Sequence, residues 1–281
     1  MQLFVLMRPI CWVAGLCVAS CAVLHAQNTE EVLPTDSPYT RSLAADSKPL
    51  VYDHLREADV FFEKRIWRII DVREKINQPF SYPKAPFISL LIDAARQKEL
   101  ALYSPLQHDS LKTRLSATDL ENIISRSDTF YVTDPVTFQD SLHIAHNDIN
   151  PEDIKRFRIK EAWIFDKESS MLQCRILAIA PMREVKDDAG NFKYEQPLFW
   201  ASYPQLRQLL ARKEVFNTQN EAQRLTWEDV FEMRMFSSYI TKESNVHDRR
   251  IVDYKQGNDA LLEANNIKNT VFNFEHDLWS Y

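Results

Sequence analysis

His143-Ile144-Ala145-His146, with Asp140 and Asp148 on either side, is the one cluster in this chain whose residue types suit a metal ion. The histidine spacing fits one helical face, but the surrounding residues read as a loop. No glutamate stands where a zinc-bound water would need its base, so a solvated polar loop is the favoured reading. Glycine argues against nucleotide chemistry. The 281 residues include 3 glycines, Gly15, Gly190 and Gly257, where average usage of about 7% would give roughly 20. Phosphate-cradling loops need clustered glycine so that backbone amides can reach the anion. Neither a P-loop nor a dinucleotide-binding turn can be built from isolated ones. No serine has the glycine-flanked elbow of a hydrolase. His54, His108, His247 and His276 are scattered, no carboxylate pair is singled out by spacing, and Cys174 has no histidine near it in sequence. The residues offer no catalytic machinery, no cofactor site and no metal site.

The rest of the chain must then be read for position and contact. Its net charge of −6 disfavours nucleic acid, which asks for a basic surface. Arg8 is the first charge and Glu30 the next; between them Ile10 to Leu24 is almost wholly apolar. That run is too short for a convincing membrane span and reads as a signal peptide over residues 1–26, cut after Ala26. A competing reading is a lipobox, Val18-Ala19-Ser20-Cys21, that would make Cys21 a lipidated N-terminus. The apolar run that continues past Cys21 speaks against it. Cys11, Cys17 and Cys21 lie in this leader, so Cys174 alone remains after cleavage and no intrachain disulfide can form. Cys174 sits in an apolar, strand-like run and should behave as a small buried hydrophobe.

Residues 27–50 form a flexible polar arm, and residues 51–281 a single domain with a docked aromatic tail. In residues 59–77, Phe62, Ile66, Ile69, Ile70 and Ile76 fall on one face at 100° per residue. This predicts an opening helix, with Asp53 as its N-cap and a stop near Asn77 forced by Pro79. Arg73 lies on the apolar face; Val60 and Trp67 lie nearly opposite. Further helices are predicted over 88–100, 119–125 (capped by Ser116 or Thr118), 205–215 (Pro204 at N1) and 259–268. One more should run from Thr226, its N-cap, to about Ile240. Residues 133–153 read as acidic loop. Lys155–Asp166 alternates and should pair with Met171–Pro181 across Lys167-Glu168-Ser169-Ser170. Strands at 192–194 and 197–203 would follow. The fold class is α+β, with N-terminal helices, a central antiparallel meander of three or four strands, and C-terminal helices. The tail, with Phe272, Phe274, Trp279 and Tyr281, is too aromatic to float free and should dock on its own chain or on a neighbour. Trp is enriched among interface anchors. Trp67, Arg73 and Tyr82, with Trp279 and Tyr281, are the candidate partner contacts.

The run Glu63-Lys64-Arg65-Ile66-Trp67-Arg68-Ile69-Ile70-Asp71-Val72-Arg73-Glu74-Lys75-Ile76-Asn77-Gln78-Pro79, followed by Tyr82-Pro83, resembles the signature of the GldN/PorN family. Lys48-Pro49-Leu50, Ile159-Lys160-Glu161 with Trp163 and Asp166, and Trp227-Glu228-Asp229-Val230-Phe231-Glu232 support the resemblance, which covers residues 48–240 in order. It implies a non-enzymatic structural subunit of the type IX secretion (gliding) machinery in the periplasm, peripherally associated with the outer membrane. The implied partners are a PorK/GldK-type outer-membrane lipoprotein, a PorM/GldM-type periplasmic shaft, and further copies of itself in a ring. No cofactor and no catalytic residue comes with the family. The lipobox-like Cys21 departs from it, since the lipid anchor of the complex is assigned to the lipoprotein partner. A periplasmic cargo-binding or chaperone-like module is the alternative.

Overall fold

Val60–Asp71 forms a strand of 12 residues, β1, where helical spacing predicts a helix. A spacing of four is even, so Phe62, Ile66 and Ile70 share a face in either conformation. The β-branched and aromatic residues crowded into VFFEKRIWRIID favour the pleated one, and pairing on both edges fixes it. This computed structural model describes residues 47–105, 110–133, 140–186, 191–218, 220 and 222–279. The expected leader with Cys21, most of the expected arm, Gly190 and Tyr281 lie outside them. The chain divides into two compact units, Met1–Arg41 and Ser42–Tyr281, and every described residue belongs to the second.

After β1 the chain passes through a 3-10 turn, Lys75–Ser81, that contains Pro79, so the predicted helix stop has no helix to end. Then come α1 (Phe87–Arg96), β2 (Leu102–Tyr103), α2 (Ala117–Ile124), β3 (Ser125–Thr133) and β4 (Asp140–Asp148). β4 replaces the predicted loop; its alternation is mostly polar, which hid it. β5 (Arg156–Asp166), β6 (Met171–Lys186), β7 (Phe192–Pro197), β8 (Trp200–Ser202), α3 (Tyr203–Arg212), β9 (Glu214–Val215) and β10 (Leu225–Thr226) follow. The chain closes with α4 (Trp227–Glu232), β11 (Tyr239–Glu243) and α5 (Asn258–Trp279).

The main sheet runs β11-β1-β5-β6-β8-β2, with β7 also on β6, and all its pairings are antiparallel. β3–β4 and β9–β10 are separate hairpins. The α+β class is as expected; the predicted meander is its β5-β6-β7 part, and the strand expected at 197–203 is β8, which also pairs with β6. β1 and β11 widen the sheet on one side, β8 and β2 on the other. The predicted hairpin turn holds in register, with Asp166 opposite Met171. Asp166 accepts from the Glu168 amide at 3.0 Å and the Ser169 hydroxyl at 2.8 Å, which fixes that turn.

The larger core is mostly aliphatic around a group of touching aromatic rings. Phe87 meets Trp227 at 4.5 Å between ring centroids and Phe157 at 5.4 Å, and Phe80 meets Trp227 at 4.9 Å. A second cluster joins Ile66 and Ile240 of the sheet to Ala264, Ile267 and Val271 of α5. The predicted tail is the second half of α5, and Phe274 stacks on Phe62 at 4.2 Å. Thr226 caps α4 as the sequence indicates, receiving the Asp229 amide at 3.2 Å while Asp229 reaches back to the Thr226 amide at 2.9 Å. The helix stops at Glu232, well short of Ile240, because Arg234 turns the chain with φ of 54°. Thr226→Ala should cost about 1 kcal/mol, read as a lower urea midpoint.

Candidate functional site

Leu50 and Tyr52 lie against α3 and α4 in a cradle of charged side chains. Arg207 of α3 and Glu228 of α4 are both buried and form an ion pair of 2.6 Å. Together they hold both backbone polar groups of Leu50. Its N–H donates to Glu228 Oε1 at 3.0 Å, and its carbonyl accepts from Arg207 Nη2. Two residues on, the Tyr52 ring lies between the guanidiniums of Arg175 and Arg207, each 3.7 Å from its centroid. The Tyr52 hydroxyl donates to Glu232, one helical turn beyond Glu228, and Tyr203 donates to the same oxygen at 2.8 Å. Burial, with Glu232 beside them, pushes both phenols up. They stay protonated donors at neutral pH, and both hold Glu232 by hydrogen bonds.

A second polar cluster is built around Glu161 of β5, which is 0% exposed. Arg234 donates to it at 2.8 Å and Trp163 Nε1 at 3.0 Å. Arg234 also reaches Cys174 Sγ at 3.1 Å. Cys174 therefore has a polar partner where the sequence suggests a plain hydrophobe. Burial, then the charge of Glu161, pushes its thiol up, which keeps it un-ionised and a poor nucleophile. Arg68 of β1 donates to Ser238 Oγ at 2.9 Å and to its carbonyl at 3.0 Å, and burial draws its pKa down.

The candidate contacts do not converge. Trp67 is 6% exposed and packs with Tyr103, Ala178, Ala180 and Trp200. Arg73, just past the end of β1, is tied to Asp71 at 2.5 Å. Tyr82 stacks on Phe216 at 4.7 Å. Phe62, where α5 docks, is about 30 Å of strand from Asp71. Trp279 is the last described residue of α5; its side chain and Tyr281 lie outside the described set. The backbones of His143 and His146 lie in β4. Among the described residues, no group of three or more His, Cys, Asp or Glu could hold a metal ion, and no helix is long and apolar enough to cross a membrane.

Asp71 accepts from the Arg73 amide and side chain and from Arg156 Nε at 3.1 Å. The Arg73 guanidinium holds its carboxyl well below the usual carboxylate range. A depressed folded pKa stabilises the fold above about pH 4, and that stability is lost as pH falls below it. Asp71→Asn should flatten the fall in urea midpoint between pH 5 and pH 3, measured against the parent chain.

Sequence reasoning missed the cradle, although its two halves sit in stretches that had drawn notice. Lys48-Pro49-Leu50 and Trp227–Glu232 meet in space, and Glu228 and Glu232 are i, i+4 on one helix face. No local spacing joins them to Tyr52, Arg175 or Arg207. A model of the family described as gliding motility associated protein GldN matches residues 55–280. Among curated proteins, none matches the chain.

Proposed function

The chain belongs to the GldN family of gliding motility associated proteins, and from that premise we propose that it is a non-enzymatic structural subunit of type IX protein secretion. It works in the periplasm, peripherally associated with the outer membrane. It forms a ring with a PorK/GldK-type lipoprotein and contacts a PorM/GldM-type shaft. The observation that carries this reading is the extent of the family match, which takes in the main sheet and every helix of the described domain. The surface of α5 supports it. Leu261, Leu262 and Phe272 are exposed, Phe272 at 71%, and aromatic side chains of this kind are enriched in protein interfaces. Deleting the gene should block export of type IX cargo across the outer membrane while leaving its delivery to the periplasm intact. Normal cargo secretion in the deletion strain would overturn the reading.

A further inference from the structure

Residues 48–52 are held in an unusual way. Among the described residues, no backbone–backbone hydrogen bond ties residues 47–58 to the sheet. The hold comes from side chains: the Arg207–Glu228 pair on the Leu50 backbone, the two guanidiniums on the Tyr52 ring, and Glu232 on its hydroxyl. The Leu50 side chain is 62% exposed and Val51 96%. The cradle is thus indifferent to those two side chains. It reads an extended backbone and a tyrosine two residues after the gripped one. Charged groups that grip one residue's N–H and C=O together, with a ring slot beside them, have the chemistry to hold an extended peptide.

The link between the strap and β1 is largely exposed, at Asp53, His54, Arg56, Glu57 and Ala58. Six extended residues span about 20 Å, so the strap can leave without disturbing β1. Every contact it makes would be identical in the cradle of another copy, and an exchanged segment is a low-cost route to association.

We propose that the Arg175–Arg207–Glu228–Glu232 cradle is a binding site for an extended, tyrosine-bearing segment, and that on self-association it takes the Leu50–Tyr52 strap of a second copy. The second half rests on the self-association proposed above. Such a contact is head-to-tail, so it can propagate from copy to copy.

Two full-length variants test it. Tyr52→Ala breaks the strap and leaves the cradle whole; Arg175→Ala weakens the cradle and leaves the strap whole. Both alter partly exposed residues, so the core is spared. A fluorescent peptide spanning residues 47–56 should bind the Tyr52→Ala protein at least about tenfold more tightly than wild type, whose own strap competes at high effective concentration. Adding Arg175→Ala should weaken that binding about tenfold, the cost of one desolvated cation–π contact. Absence of peptide binding, or binding that ignores Arg175, overturns the site. In sedimentation, each variant alone should associate about tenfold more weakly than wild type, and an equimolar mixture should recover dimers by pairing an intact strap with an intact cradle. A wild-type chain that stays monomeric, variants that associate as it does, or a mixture without recovery overturns the exchange. These readouts use the purified chain alone, so their failure leaves the secretion role to be judged by the cargo test.

Discussion

Glu161→Ala is expected to destabilise the chain by about 3 kcal/mol, the low end of the cost of removing one partner from a buried ion pair, because Arg234 keeps partial access to solvent. The carboxylate is fully buried and serves Arg234 and Trp163 at once. Without it the half-buried Arg234 guanidinium is left with Cys174 Sγ and two aromatic rings, Phe236 at 5.4 Å and Trp163 at 5.6 Å. None of these offers a counter-charge, since burial keeps the thiol un-ionised. Arg68, whose charge Glu161 also balances, would keep its bonds to Ser238. The backbone neighbours of Glu161 are Ile66 on β1 and Ile176 on β6, members of the two main apolar clusters. The damage should therefore spread to both. Glu161→Gln should cost less than Ala, because the amide oxygen still accepts from Arg234. Urea denaturation followed by tryptophan fluorescence would rank the variants, and an unchanged midpoint for Glu161→Ala would contradict the structure.

Trp67→Ala should cost a similar amount, about 3–5 kcal/mol. The indole fills the space beside Tyr103 and Trp200, and two lysines on the flanking strands lie over it. Lys242 Nζ is 4.4 Å and Lys160 Nζ 5.4 Å from the ring centroid. Truncation would leave a cavity and strip both ammonium groups of their ring face. Trp67→Phe should cost much less. Trp67 Nε1 is buried and has no hydrogen-bond partner among the described residues, so losing it removes an unpaired donor. A small loss with Phe and a large one with Ala marks Trp67 as packing. If Trp67→Ala instead keeps the parent's urea midpoint and only weakens assembly, the residue is an interface anchor.

What the sequence shows and hides follows from distance along the chain. The β5–β6 hairpin was legible because its alternation and its turn are local, and Ser116 and Thr226 were legible as caps for the same reason. β1 was misread because Phe62, Ile66 and Ile70 satisfy both periods. β-Branched and aromatic content leans to the strand, and long-range pairing with β5 and β11 decides it. The length of α4 was misread because Arg234 adopts a left-handed turn that a non-glycine residue seldom announces. The end of α5 was misread because its aromatic residues look like a tail until Phe274 finds Phe62. The cradle was the least legible feature. Leu50 and Glu228 are 178 positions apart, and Tyr52 and Glu232 are 180 apart. A strap, a strand and two helices must all be placed before their charges can be seen to converge.

If this chain is a structural subunit held on an outer-membrane lipoprotein, as proposed, it should leave the envelope together with that lipoprotein. Affinity purification of the tagged chain from detergent-solubilised cell envelopes, followed by mass spectrometry and size analysis, tests it most directly. The expected product is a high-mass assembly containing the PorK/GldK-type lipoprotein in stoichiometric amount, together with many copies of this chain. Recovery of a monomer free of the lipoprotein, from envelopes in which that lipoprotein is present, would contradict it.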